Sequence, residues 1–220
     1  MIEAAIFDMD GLLIDSEPFW RRSHVEVLGK YGFVITEEDA RLAAGKRTRD
    51  QVELWHERFG WQDPSIDDVT KQVVDNVINL IHVNGKALPG VDEVVNLMTE
   101  HDIPMAVASS SSQELIEVVV ERLDLTNNMK VIVSAENEKR GKPFPDVFLT
   151  AASKLDANPE NCLVFEDSIN GIKAAKSAGM KCIAVPEQPY EQKSFSEADI
   201  VLQSLFNLEW RIVRSLWPEN

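Results

Sequence analysis

Ala4-Ala5-Ile6-Phe7-Asp8-Met9-Asp10-Gly11 is the stretch on which the reading of this chain turns. Four apolar residues run without interruption into an aspartate, the pattern of a short strand buried on both faces of a parallel sheet. Working outward, runs of the same kind recur at Met105–Ala108, Val131–Val133, Leu163–Phe165 and Ile183–Val185, with Ile200–Leu202 a weaker sixth. Segments of helical period lie between them. Val91–Glu100 follows the Pro89-Gly90 turn, and Leu115–Leu123 follows Ser111 and Glu114, which together form a capping box. Pro145–Leu155 has proline at its first helical position, and Ile169–Ala178 ends at Gly179 with Lys176 in its last turn. Strand alternating with helix predicts an α/β fold with a parallel sheet covered on both faces.

Residues 16–83 break that alternation. Phe19–Tyr31, Glu37–Ala44, Arg49–Phe59 and Ile66–Val83 all carry helical period, and no strand run separates them. Thr36 with Asp39 and Ser65 with Asp68 are candidate N-cap pairs. The expected organisation is therefore a Rossmann-like α/β core made of residues 1–15 and 84–220, with an all-helical domain, residues 16–83, inserted after the first strand. Neither internal repeats nor low-complexity tracts are present.

The 220 residues include 37 acids against 22 bases, a formal charge of −15. That excess argues against nucleic acid as a partner, because duplex binding relies on clustered Lys and Arg. It leaves room for a small phosphorylated metabolite, since one metal ion and one lysine can reverse the field inside a cleft. The N-terminus has no basic leader, and no run approaches the ~18 apolar residues of a membrane span. A cytoplasmic monomer is the default expectation. Cys162 and Cys182 sit in strand-like runs and read as small buried hydrophobes rather than a disulfide or a metal pair. His24, His56, His82 and His101 show no metal-ligand spacing and are expected on helix surfaces.

In an open parallel sheet, ligands bind beyond the carboxyl ends of the strands. Asp8 and Asp10 follow the first strand, Ser109–Ser112 the second, and Glu166 and Asp167 the fourth. Lys142 lies in the loop Arg140-Gly141-Lys142-Pro143-Phe144-Pro145, after the third strand and ahead of a helix. Each element has an ordinary structural reading by itself: a turn cap, an N-cap, a solvated acidic turn, a surface lysine. Together they converge on one sheet edge. Four neighbouring carboxylates would repel by about 4 kcal/mol per close pair at an effective dielectric near 20, so protons or a cation must sit among them. Oxygen ligands without His or Cys favour Mg²⁺. Mg²⁺ and Lys142 would let a phosphate dianion approach, Ser109 with helix-start N–H groups would hold its oxygens, and Asp10 would be placed to protonate a leaving oxygen.

On these residues the chain resembles a haloacid dehalogenase-superfamily phosphatase, of the sugar-phosphatase and β-phosphoglucomutase-like branch with a helical cap. The resemblance is carried by Asp8-Met9-Asp10-Gly11-Leu12-Leu13-Ile14-Asp15-Ser16, Val107-Ala108-Ser109-Ser110-Ser111, Gly141-Lys142-Pro143-Phe144-Pro145-Asp146 and Phe165-Glu166-Asp167-Ser168-Ile169-Asn170-Gly171, in that order. It implies that Asp8 is the nucleophile and carries an aspartyl-phosphate, and that Asp10 is general acid and then base. Ser109 would bind the phosphoryl group, beside Gly11 and Ser110. Lys142 would orient Asp8 and balance charge. Mg²⁺ would be held by Asp8, the Asp10 backbone carbonyl and Asp167, with Glu166 a direct or water-mediated ligand.

Dehalogenases of the superfamily lack the second aspartate, so Asp10 argues against carbon–halogen chemistry. Mutases of this branch carry a histidine in the cap five residues after the position of Asp15; here Trp20 stands there, with His24 one turn on. In the cap, Gly45-Lys46-Arg47-Thr48-Arg49 is the candidate specificity loop, with Lys46 and Arg47 as substrate contacts. Trp20, Trp55 and Trp61 could line the pocket, although helical aromatics more often form core. The alternatives to hydrolysis are a phosphosugar mutase using the same phospho-aspartate, or a non-enzymatic phospho-receiver or metabolite-binding module.

Overall fold

The computed structural model describes residues 1–36, 38–39, 48–187 and 192–218. Six strands, β1 (Ala4–Phe7), β2 (Met105–Ser109), β3 (Met129–Ser134), β4 (Cys162–Glu166), β5 (Lys181–Ala184) and β6 (Ile200–Val201), form one sheet in the order β3-β2-β1-β4-β5-β6. Every neighbouring pair is parallel. All residues of β1, β2 and β4 are buried, which is why their sequence reads as unbroken apolar runs rather than as alternation. The strand order reverses direction at β1, so the crevice of the fold opens at the carboxyl ends of β1 and its neighbours.

Small residues on one sheet face let helices approach closely. Ala4, Ile6, Ala106 and Val164 pack with Ala151, Ala152, Ala174 and Ala175 in one buried cluster. Phe7 and Phe165, paired across β1 and β4, stack with centroids 4.8 Å apart. The chain divides into two compact units, Met1–Asp15 with Lys86–Asn220, and Ser16–Gly85. In the first unit the outgoing and returning chain lie side by side: Ile14 bridges Ala87, and the Leu88 N–H donates to the Leu13 carbonyl at 2.9 Å.

The second unit contains α1 (Glu17–Lys30), α2 (Thr48–Phe59) and α3 (Ile66–Asn84) among its described residues. α3 buries Val69, Val73, Val77, Leu80 and Ile81, an i, i+4, i+8 stripe that faces its neighbours. Ser65 caps it by accepting from the Asp68 N–H at 3.1 Å, and Thr36 and Asp39 bond reciprocally as a second box. Val27, Leu28, Val52, Trp55, Trp61, Val69 and Val73 form the core, with Trp20 half-buried against it. The helix expected over Glu37–Ala44 falls largely on residues outside the described ones, as do Lys46 and Arg47.

In the α/β unit the helices following the strands are α4 (Val91–Glu100), α5 (Gln113–Arg122), α6 (Asp146–Lys154) and α7 (Ile169–Ser177), with α8 (Trp210–Ser215) near the end. Two expectations are corrected. His24 is not on a helix surface but 1% exposed, its ring edge-on to Trp55 inside the helical core. The cap of α5 is Ser112, which accepts from the Leu115 N–H at 3.3 Å, rather than Ser111. Ser111 is drawn elsewhere, and the helix runs from Gln113 to Arg122, starting two residues before the expected Leu115. No helix among the described residues is long and apolar enough to cross a membrane.

Candidate active site

The end of β1 is the centre of the site. The Asp8 N–H continues the ladder by donating to the Phe165 carbonyl at 3.0 Å, which fixes a 6%-exposed carboxylate over the sheet edge. Gly11 then turns the chain at φ +77°, and a β-carbon there would stand 2.2 Å from an Asp167 carboxylate oxygen. Glycine is needed both for the turn and for the space Asp167 occupies.

Lys142 ties the site together. Its side chain is 7% exposed, and Nζ donates to Asp8 Oδ1 at 2.6 Å, to Glu166 Oε1 at 2.7 Å and to the Ala108 carbonyl at 3.2 Å. The stem reaches inward from a loop held by Arg140, which pairs with Asp146 at 3.0 Å and lies over the Phe144 ring. Glu166 is fully buried, and its second oxygen accepts from the Ser168 N–H at 2.7 Å and the Ser168 hydroxyl at 2.9 Å. Ser168 also caps α7 by accepting from the Gly171 N–H at 3.0 Å. A β-carbon on Gly171 would fall 1.5 Å from Glu166 Oε1.

Asp8, Glu166 and Asp167 each bring a carboxylate oxygen within 4.8 Å of the others. Burial pushes the Asp8 carboxyl up to about 7, against the opposing pull of Lys142 and with the Glu166 and Asp10 charges adding to it. Burial, then the Glu166 and Asp8 charges, push Asp167 up to about 9. For Lys142 burial works against the charged form, but Asp8 and Glu166 outweigh it and hold the ammonium above its usual range. One lysine therefore does not neutralise this cluster. An all-oxygen, buried, undercompensated donor set fits a hard divalent cation.

Asp10 is placed differently. Its Oδ2 accepts from the Ser111 hydroxyl at 2.7 Å and the Ser109 hydroxyl at 3.2 Å, on the serine-loop side of the site. Ser109 is fully buried and Ser110 exposed beside it. Of the residues singled out in the sequence, the structure gathers Asp8, Asp10, Gly11, Ser109, Lys142, Glu166 and Asp167 at one edge. Ser168, Gly171 and Ser111 stood in the quoted sequence runs without an individual role, and Ser134 was not among the residues singled out. The available signal for the first two was a serine and a glycine just after a buried acid at a helix start.

The fold and this site place the chain among known enzymes. Residues 5–185 match the haloacid dehalogenase-like hydrolase family, and the chain belongs to it. It is an enzyme of the phosphoric monoester hydrolase class. Hexitol phosphatase B of Escherichia coli (strain K12) is 39% identical over 209 residues, covering 94% of each chain. The phosphorylated carbohydrates phosphatase of Thermotoga maritima is 35% identical over 83% of this chain and 84% of its own. Among solved structures, CbbY from Rhodobacter sphaeroides in complex with phosphate superposes with a TM-score of 0.83 at 28% identity, covering 94% of this chain and 96% of that one.

Proposed function

We propose that the chain is a Mg²⁺-dependent phosphatase that hydrolyses a small phosphomonoester, a sugar or polyol phosphate, through an aspartyl-phosphate on Asp8. The observation that carries this reading is the buried Asp8 carboxylate at the end of the central strand, bonded to Lys142 and clustered with Glu166 and Asp167. The hexitol and carbohydrate specificities in the relatives' names support the substrate class. The formal charge of −15 favours a metabolite over nucleic acid.

In this reading Asp8 attacks phosphorus in line with the leaving oxygen, and the bond from phosphorus to that oxygen breaks as Asp10 delivers it a proton. Asp10, now a base, takes a proton from water, whose oxygen attacks the aspartyl-phosphate and releases inorganic phosphate with Asp8 restored. Lys142 orients Asp8, and Ser109 with N–H groups of the following loop binds the phosphoryl oxygens. Asp8, the Asp10 carbonyl and Asp167 would hold Mg²⁺, and Glu166, already engaged by Lys142 and Ser168, would reach it through water. Bound Mg²⁺ supplies charge neutralisation for the carboxylates and the incoming dianion. The helical unit would act as a cap that selects the leaving group and excludes water, with Lys46 and Arg47 as its substrate contacts.

The test is free phosphate release from a panel of hexitol, sugar and nucleotide monophosphates, with and without Mg²⁺. Wild type is expected to release phosphate only with metal, and Asp8→Asn to lose at least ~10³-fold with its circular dichroism unchanged. Full activity in Asp8→Asn would refute the mechanism. An isomeric sugar phosphate with little free phosphate would replace hydrolysis by a mutase reaction.

A further inference from the structure

We infer that Ser111 is the positioning residue for Asp10, holding the general acid in the site while Ser109 is occupied with the phosphoryl group; this rests on the phosphatase reading above. Two hydroxyls converge on the same Asp10 oxygen, but they are not equivalent. Ser111 donates at 2.7 Å and Ser109 at the longer 3.2 Å. Ser109 Oγ also accepts from the Ser111 N–H at 3.0 Å, so it sits in the turn that receives the phosphoryl group. When a phosphoryl oxygen takes the Ser109 hydroxyl, Asp10 loses its weaker partner and keeps Ser111.

Two further features fit Ser111 for this work. Ser112 rather than Ser111 caps α5, so the Ser111 hydroxyl is spared for Asp10. Its backbone is also pinned: buried Ser134, at the end of β3, donates to the Ser111 carbonyl at 2.6 Å and accepts from the Glu136 N–H at 3.1 Å. Ser134 thus anchors the Ser111 backbone to the end of β3 while the Ser111 hydroxyl holds Asp10. A carboxylate held by a hydrogen-bond donor keeps one rotamer, and proton transfer demands that it stay within reach of the leaving oxygen.

The experiment compares two leaving groups with Mg²⁺ present. From sorbitol 6-phosphate the departing sorbitol oxygen is an alkoxide unless protonated and needs the general acid; from p-nitrophenyl phosphate the departing p-nitrophenolate is a stable anion and needs it far less. The readout is kcat/KM, which covers only the steps through aspartyl-phosphate formation. Ser111→Ala is expected to lower kcat/KM for the alkyl phosphate by about tenfold or more, a part of the ~10²–10⁴ a general acid supplies, with a much smaller fall for the aryl phosphate. Ser111→Thr, which keeps the hydroxyl, should restore the ratio. In an Asp10→Asn background, Ser111→Ala should add nothing for either substrate. Ser134→Ala, which leaves Ser109 and Ser111 intact, should shift the ratio in the same direction by less, and carries the test should Ser111→Ala not fold. Equal falls for both substrates, or an added fall in the Asp10→Asn background, would overturn the inference while leaving the phosphatase intact. Wild-type silence on both substrates would instead remove the phosphatase reading itself.

Discussion

The two units of this chain treat charge in opposite ways. In the α/β unit, Asp8, Glu166 and Lys142 are buried at the sheet edge, with the ammonium 2.6–2.7 Å from both carboxylates. In the helical unit, charges lie outside as exposed pairs one turn apart, Arg22 with Glu26, Arg49 with Glu53 and Lys71 with Asp75, and Arg49 also meets Asp67. Its interior is aromatic and aliphatic, and the one histidine inside it, among the described residues, is held neutral. Exposed pairs are worth little to stability and serve solubility, whereas a buried cluster costs desolvation, a pattern that concentrates at functional sites. The comparison separates a unit built around chemistry from one built as a packed helical body.

The largest effect should come from Lys142→Ala. It leaves Asp8 and Glu166 buried without their shared partner, and removing one member of a buried pair costs about 3–5 kcal/mol. Phosphate release should fall at least ~10²-fold, and urea unfolding in metal-free buffer should show the lost stability. Gly171→Ala comes next: its β-carbon would overlap Glu166, for a loss of about 3 kcal/mol or Glu166 displaced from Lys142, read by the same melts and by Mg²⁺ titration.

The units should also respond to pH with opposite sign. Burial lowers the His24 imidazole from 6.5 to about 4, with Gln51 opposing, so between those values the unfolded chain binds the proton more tightly. Stability from a neutral His24 is therefore full above about 6.5 and is lost as pH falls, by about 2 kcal/mol between pH 7 and 5. Asp8 and Asp167 are raised to about 7 and about 9, so the metal-free α/β unit should gain stability as pH falls toward 4, and bound Mg²⁺ should cancel that gain. Amide exchange in α1 and α3 against β1 and β4, corrected for intrinsic rates, measures both slopes; parallel slopes would break the comparison. The smallest expected effect is Ser65→Ala, about 1 kcal/mol from a lost N-cap, confined to the helical unit and without change in the Mg²⁺ dependence of phosphate release.

The central strands were legible because β1, β2 and β4 are buried on both faces, which compels uninterrupted apolar residues, whereas β6 at the sheet edge is only half-buried and reads more weakly; elsewhere only strand ends moved, as where β3 begins at Met129 rather than Val131. The site acids were legible because they directly follow those runs. Ser111 was not. Four serines in a row offer several equivalent caps, and what separates Ser111 from Ser112 is Asp10, about a hundred residues away in sequence. His24 was misread for a similar reason: its helix alternates polar and apolar residues weakly, and only the packing of Trp55 beside it decides that the ring is inside.

The sequence by itself determined the parallel α/β sheet, the helical insertion and the acids, lysine and serines of the candidate site, because periodicity and strand-end position are local properties of the chain. Tertiary structure alone decided the long-range connections: Lys142 bridging Asp8 and Glu166, and Ser111 holding Asp10. Hydrogen bonds of under 3 Å between side chains far apart in sequence depend on the register and packing of several elements at once, and that information is in no single stretch of the chain.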